Sequence, residues 1–488
     1  MAERNLLANL LPYQAEAVDW CKSKENSCCI LAYDMGLGKT VISCGLLIAK
    51  PMKTLIMVPT SLINQWQSEI EQHTTGLKVL VYHGNRKRLR VQDADVVITT
   101  SAVIASEIKV GIYKFRGFKR WIIDEAHKLR NKDSRTFKML HEYAPMVENK
   151  VFLTGTPICN SSNDLVSLIC LSNLDPYNDV AMWKHVENPV KYRLLDKIIP
   201  DIVLRRTKAD TIADLLPKIT INTVTLSVVD EGQKDVYNHF TKNSTYIIKQ
   251  ILRMRQSLNH PVEVLDEVAE DGIVLSEIKS IKMDAVKNIL SGVPTGDKVI
   301  IFSIFTKLLL QMYDGLEIPD GVTRSQYMQL YHGGLHMEDR NKVISQFKSD
   351  PDARILLINL RAGGVGLNLV EANHVILMEP YWNEAEQQQA INRVYRLGQT
   401  KPISVYKLVV KNSIETWLQS MQKTKNNLSC YFIDRNKQQR EADELISQRV
   451  TLRELFKKVK DATIPETVEE QKELEESIKE LAIPDDSV

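Results

Sequence analysis

Cysteine is scarce in this chain and carries no pattern. Seven cysteines are scattered over 488 residues, and none forms a Cys-x-x-Cys pair. An odd count without ligand spacing argues against a disulfide framework or a structural zinc site, and fits reduced thiols in the cytosol or nucleus. Long hydrophobic runs are missing as well. None reaches the roughly 18–20 residues of a membrane helix, so no membrane partner is expected. The opening Met1-Ala2-Glu3-Arg4-Asn5 lacks a basic stretch followed by a long apolar one, so no secretory leader is expected. There is no low-complexity stretch and no short tandem repeat. No zinc module, helix-turn-helix or basic zipper is present, so sequence-specific base reading is not expected.

What is present is ordinary in amount and uneven in arrangement. Hydrophobic residues make up 44% and charged residues 25%, as in globular proteins. The length calls for two or three domains, because a single core does not grow to this size. The net charge is +2, but residues 461–488 hold ten acids and two lysines. A mildly basic body with an acidic, mobile or weakly helical tail suits a protein that holds polyanions. It equally describes an ordinary enzyme with a solvated tail.

The chain alternates short apolar runs with helical patterns, the mark of parallel sheets covered by helices on both faces. In the first half, strands are expected at Ser27–Ala32, Thr54–Val58, Val79–Tyr82, Val96–Thr99, Arg120–Asp124 and Val151–Thr154, the last closing the set. Helices are expected from Thr40 to about Lys50 and through Leu62–Trp66. The alternation resumes with strands at Lys298–Ser303, Gln329–Tyr331, Ile355–Asn359, His374–Met378 and Ser404–Val409. Between the two halves lies a mostly helical pattern punctuated by prolines. Beyond about residue 411 the pattern is helical and polar, with Ile414, Trp417, Leu418 and Met421 spaced for one helix face. The expected fold is α/β: two parallel-sheet lobes at 1–157 and 297–411, a helical insert and linker at 158–296, and a helical extension with an acidic tail at 412–488.

Chemistry concentrates in two places in the first half. Asp34-Met35-Gly36-Leu37-Gly38-Lys39-Thr40 follows the apolar run ending at Tyr33. A glycine-rich loop ending in Gly-Lys-Thr cradles phosphates with backbone N–H groups, and its Lys and hydroxyl serve phosphates and Mg²⁺. Trp121-Ile122-Ile123-Asp124-Glu125-Ala126-His127 comes about 85 residues later. Asp124 is placed to help hold Mg²⁺, and Glu125 to orient or activate water. Together these make a nucleotide-hydrolysing motor the leading expectation. Leu153-Thr154-Gly155-Thr156-Pro157 is a hydroxyl-lined turn at the end of the first lobe, suited to linking nucleotide state to movement. In the second half, Arg361 opens a run with Gly363, Gly364 and Gly366, leading to Asn368. Arg393 and Arg396 lie three apart and would share the face of a helix. There they would stabilise charge on a γ-phosphate, an effect of roughly 10³–10⁵ in rate, although an isolated pair of this spacing is more often simply two surface arginines. The run Arg86-Lys87-Arg88-Leu89-Arg90 suits phosphate contact or a solvated loop.

These motifs in this order resemble the second helicase superfamily, and within it the SWI/SNF-type chromatin-remodelling ATPases. Leu11-Pro12-Tyr13-Gln14 with Trp20 resembles the family's adenine-reading glutamine motif. Val58–Leu62 with Gln65-Trp66 resembles its first strand-contacting motif. Leu204-Arg205-Arg206-Thr207-Lys208, Asn259-His260-Pro261, Ile301-Phe302-Ser303, Ala362–Leu369 and Gln389–Gln399 also match, so the likeness runs over roughly residues 8–425. The compact form resembles viral members, the baculovirus global-transactivator-like proteins. Two departures stand in the last motif, Asn392 where the family usually has Asp and Tyr395 where it commonly has His. Neither removes a guanidinium.

The resemblance implies an ATP- and Mg²⁺-using enzyme with two RecA-like lobes. It implies nucleotide contacts from Gln14, the loop residues Asp34–Thr40 and Gly366, metal contacts from Thr40 and, through water, from Asp124, and catalysis by Lys39, Asp124, Glu125, Arg393 and Arg396. DNA contacts are expected from Trp66, Arg361, Asn368 and Trp382, with packing after a buried strand as the equal alternative for Trp382. The implied activity is translocation on double-stranded DNA without sequence specificity, remodelling protein–DNA complexes, with nucleosomes or transcription machinery as partners. The alternatives are a strand-separating DNA or RNA helicase and a DNA-bound transcription scaffold. A nuclear location is implied, in a host nucleus or viral factory for a viral member, with the cytoplasm as the alternative.

Overall fold

The computed structural model describes residues 4–24, 28–84, 91–110, 115–158, 162–242, 247–270, 279–362 and 367–422. The basic run 86–90, Gly366 and the acidic tail therefore lie outside the described residues. The chain divides into two compact units, with the change at Leu215–Leu216.

The first unit is built on a seven-stranded sheet: β1 (Cys28–Tyr33), β2 (Thr54–Met57), β3 (Val79–Val81), β4 (Val96–Thr99), β5 (Arg120–Ile123), β6 (Asn149–Thr154) and β7 (Val203–Arg206). Their order is β3-β4-β2-β5-β6-β1-β7, and every neighbouring pair is parallel. Parallel strands are covered on both faces, so they read as continuous apolar runs rather than alternating ones. All six residues of β1 and all six of β6 are buried. The covering helices show the complementary pattern. In Arg135–Tyr143, Phe137, Leu140 and Tyr143 are buried along one face, and Ser134 caps the start by accepting the Phe137 N–H at 3.2 Å. Each such large apolar side chain contributes about 1.5–3 kcal/mol on burial.

The second unit holds β8 (Ile219–Leu226), β9 (Val299–Ser303), β10 (Met328–Tyr331), β11 (Ile355–Asn359), β12 (His374–Leu377) and β13 (Ile403–Val410). Their order is β8-β13-β12-β9-β11-β10, again parallel throughout. Residues 414–422 are helical, with Ile414 and Leu418 buried and Trp417 and Met421 packed against the same cluster, as their spacing implies.

All eleven expected strands are present, with ends that coincide or shift by a residue or two, but the segment read as helical is not wholly so. It supplies β7 to the first sheet and β8 to the second, so Val151–Thr154 does not close the first set. Both are edge strands. Residues of β7 are only half-buried and two are arginines, and most of β8 is exposed. Neither presents the buried apolar run that marks a central strand.

Candidate active site

Parallel sheets gather ligand-binding loops at the carboxyl ends of their strands. In the first unit those ends carry Asp34–Lys39 after β1, Asp124–His127 after β5, Thr154–Thr156 after β6 and Thr207–Lys208 after β7.

The loop after β1 is tightly specified. Gly36 and Gly38 have φ of +89° and +76°, a region that side-chain-bearing residues avoid. At Gly38 a Cβ would also lie 2.5 Å from Gln14 Nε2. The helix Lys39–Ala49 starts directly after Gly38, which offers no capping side chain, and its first turn holds no acid. Such a helix start favours an anion. The neighbouring helix Pro12–Ser23 is held close because Gly45 has no side chain. A Cβ there would lie 2.9 Å from Val18 Cγ2.

Gln14 is buried and bridges these elements. Its Oε1 accepts the Leu11 N–H at 3.0 Å, and its Nε2 donates to Leu37 O at 3.2 Å. Lys39 Nζ donates to Tyr33 O at 2.7 Å and Asp34 O at 3.2 Å, and burial lowers its pKa.

Asp124 and Glu125 take distinct positions. Asp124 Oδ2 accepts the Trp66 indole N–H at 2.9 Å, and Oδ1 accepts the Glu125 N–H at 2.9 Å. Burial, followed by the adjacent Glu125 charge, pushes the Asp124 carboxyl up to about 6. Glu125 sits at φ +50°, an uncommon backbone for a residue with a side chain. Its Oε2 lies 3.3 Å from His127 Nδ1, which is also 3.3 Å from Thr154 Oγ1. Thr154 Oγ1 accepts the Thr156 N–H at 3.1 Å. Burial, with Lys128 and Arg130 nearby, lowers His127 to about 4, so its ring is neutral at physiological pH. A polar chain thus runs from Glu125 to the Thr154–Pro157 turn.

Arg205 ties the phosphate loop to its neighbours. It donates to Ala32 O at 2.9 Å and Gly155 O at 3.4 Å, and pairs with Asp34 Oδ1 at 2.9 Å. Asp34 Oδ2 accepts the Lys208 N–H at 3.0 Å. Sequence reasoning gave Arg205 no role. The only signal was its place in the Leu204–Lys208 motif.

The oxygen donors near the loop, the Thr40 hydroxyl and the Asp124 carboxylate, suit a hard cation such as Mg²⁺. The loop's glycine backbone and Lys39 suit the phosphates that accompany it.

Trp66 differs from expectation. Its ring is 2% exposed and bonded to Asp124, so it is not on the surface to meet DNA. In the second unit, Arg361 and Asn368 are exposed, and Arg361 Nε donates to Tyr381 OH at 3.4 Å. Trp382 is half-buried against the cluster containing Tyr237 and Ile414, a packing position. Arg393 and Arg396 do not share a helix face. The helix Glu384–Ile391 ends before them, and the chain continues in turns. Two contacts account for this. Arg393 O accepts the Leu369 N–H at 3.0 Å, and Gln399 Nε2 donates to Ala372 O at 2.7 Å, drawing the segment back onto the preceding loop. Arg393 is buried and donates to Leu367 O at 3.4 Å, whereas Arg396 is half-buried.

Among the described residues, no helix is long and apolar enough to cross a membrane.

Comparison with known proteins places most of the chain in described families. Residues 13–271 match the SNF2-related domain and residues 281–398 the helicase conserved C-terminal domain. The chain is 30% identical to the "Probable global transactivator" of Orgyia pseudotsugata multicapsid polyhedrosis virus, over 86% of this chain and 90% of that protein. It is 30% identical to the ISWI chromatin-remodeling complex ATPase ISW1 of Saccharomyces cerevisiae, over 83% of this chain but 39% of the yeast protein. The SWI2/SNF2 ATPase core of Sulfolobus solfataricus in complex with dsDNA aligns at 26% identity and a TM-score of 0.40, covering 88% of this chain and 94% of that one. The two matched domains, their order along the chain and the near-complete span of the viral relative show that this chain belongs to the SNF2-related family of helicase-like ATPases and is an ATP hydrolase.

Proposed function

We propose that the chain couples ATP hydrolysis to movement along double-stranded DNA, without reading its sequence, and so remodels protein–DNA complexes in transcription or chromatin. The observation that carries this reading is the gathering of Lys39, Asp124, Glu125 and the Arg205–Asp34 pair around one phosphate loop. The substrate class comes from relatives described as chromatin-remodelling ATPases, a TATA-binding protein-associated factor and a global transactivator. The nucleus is the proposed place of action, and nucleosomes or transcription machinery the proposed partners.

In this reading Lys39 and the Gly36–Thr40 backbone hold the phosphates, and Gln14 reads adenine. Thr40, and Asp124 through water, would hold Mg²⁺, which would supply charge neutralisation for the phosphates. Glu125 orients the attacking water and accepts its proton, while neutral His127 steadies the Glu125 carboxylate. Arg393 and Arg396 of the second unit are assigned to γ-phosphate charge on family resemblance. Gly366 is assigned to nucleotide contact, and Arg361 and Asn368 to the DNA backbone, on the same ground.

The test is ATP hydrolysis by the purified chain alone, with duplex DNA, with single-stranded DNA and with RNA, using Lys39→Ala as the blank. Strong stimulation by duplex DNA without strand displacement is expected. Stimulation by RNA alone would overturn the DNA reading, and displacement of a paired strand would replace translocation with helicase action. No turnover under any condition would point instead to a DNA-bound scaffold.

A further inference from the structure

We propose that Trp66 is the positioning residue for the carboxylate that holds Mg²⁺. The inference rests on the reading of the first unit as a Mg²⁺–nucleotide site and deepens it.

The geometry is specific. An indole has one donor, and Trp66 directs it to Asp124 Oδ2 at 2.9 Å. The other oxygen, Oδ1, takes the Glu125 N–H at 2.9 Å. A donor on each oxygen fixes the rotation of the carboxylate about its bond to Cβ, a torsion that is otherwise broad. The two donors come from different elements. Glu125 follows β5 directly, whereas Trp66 is carried by the helix Ile63–His73, whose buried residues are Ile63, Trp66 and Ile70. The ring is 2% exposed, so water has little access to replace its N–H. Packing alone would be served by Phe, so the nitrogen is what marks this position as more than core.

Mg²⁺ demands near-ideal octahedral geometry and tolerates a turned ligand poorly. Groups that orient a metal's ligands typically affect affinity by about 10–100-fold. Trp66 therefore acts on the metal through Asp124.

The experiment is binding of a fluorescent ATP analogue to the full chain across a Mg²⁺ titration. Trp66→Phe keeps an aromatic ring and removes the donor. The expected result is a rise of about tenfold in the Mg²⁺ concentration for half-maximal binding, with nucleotide affinity in EDTA within about twofold of the parent. Trp66→benzothienylalanine keeps the bicyclic shape and loses only the N–H. It should give the same shift, and it answers the case in which Phe impairs folding. In an Asp124→Asn background, Trp66→Phe should add no further shift, because the two residues act as one unit. An unchanged Mg²⁺ midpoint in a folded variant overturns the proposal, as does an equal loss of affinity in EDTA, which would mark Trp66 as packing only. If the parent protein binds nucleotide without regard to Mg²⁺ or Lys39, the proposed function itself falls, and the parent arm alone reveals it.

Discussion

Lys282→Met tests how the second unit is held together. The Lys282 and Glu415 side chains are both 0% exposed, with Nζ 2.5 Å from Glu415 Oε1. The same ammonium donates to Asn259 Oδ1 at 2.8 Å and Met378 O at 2.7 Å, and Glu415 Oε2 accepts the Val410 N–H at 3.0 Å. One lysine thus joins the Asn259–Pro261 motif, the end of β12 and the helical residues 414–422. Methionine preserves most of the stem and removes all three donations, leaving Glu415 charged and buried. Breaking a buried pair from one side costs about 3–5 kcal/mol. For a unit of roughly 200 residues, each kcal/mol moves Tm by about 2–4 °C, so calorimetry should show the second unit's transition falling by about 6–20 °C. The first unit's transition should stay in place. Lys282→Met with Glu415→Leu should recover most of the loss, since the stranded charge is gone. A shift under about 2 °C, or a double variant worse than the single one, would refute the account.

Gly38→Ala places a Cβ 2.5 Å from Gln14 Nε2 at a φ of +76°. A backbone cost of about 1–2 kcal/mol plus that clash should weaken fluorescent-nucleotide binding about tenfold or more. His127 has its pKa lowered to about 4 from 6.5, so the unfolded chain takes up a proton that the folded one refuses between those values. Stability should therefore be full above pH 6.5 and fall by up to about 3 kcal/mol towards pH 4, a limb that His127→Gln should flatten in urea titrations. Glu263 has the opposite sign. Burial raises it to about 8 from 4.5, so its contribution is present below pH 4.5 and lost as pH climbs through 8. Glu263→Gln should stabilise the protein at pH 9 by on the order of 2–4 kcal/mol, and equal urea midpoints there would refute the assignment. Arg396→Ala should leave nucleotide affinity within about threefold and cut turnover on the order of 10³-fold, whereas near-normal turnover would remove Arg396 from the reaction.

The central strands were legible because burial on both faces leaves them as apolar runs, and β4 and β11 fall where the sequence puts them. β7 and β8 were not, because their exposed residues mix arginine and threonine with the apolar ones, whereas the other two edge strands, β3 and β10, stay mostly apolar. The phosphate loop and the Asp124–His127 segment were legible because their chemistry depends on residue types at fixed local spacing. The partners that orient them were not. Trp66 meets Asp124 from 58 positions away, and Arg205 donates to a carbonyl 173 positions away. No local pattern encodes either meeting. The arginine pair shows the converse error. Three-residue spacing suggested one helix face, but the Arg393 carbonyl and the Gln399 side chain bond to the 369–372 loop instead.

The place of β7 decides how the protein can be cut. β1 lies between β6 and β7, and its six residues, Cys28–Tyr33, are all buried. A fragment ending at Pro157, where the nucleotide motifs of the first half stop, would lose β7. It would present β1 as a bare apolar edge, a template for aggregation, and leave Asp34 without Arg205. Extending the fragment to Leu215 restores both neighbours of β1. Expression trials of the isolated first unit should therefore divide sharply between these two end points, the shorter going to inclusion bodies and the longer staying in the supernatant.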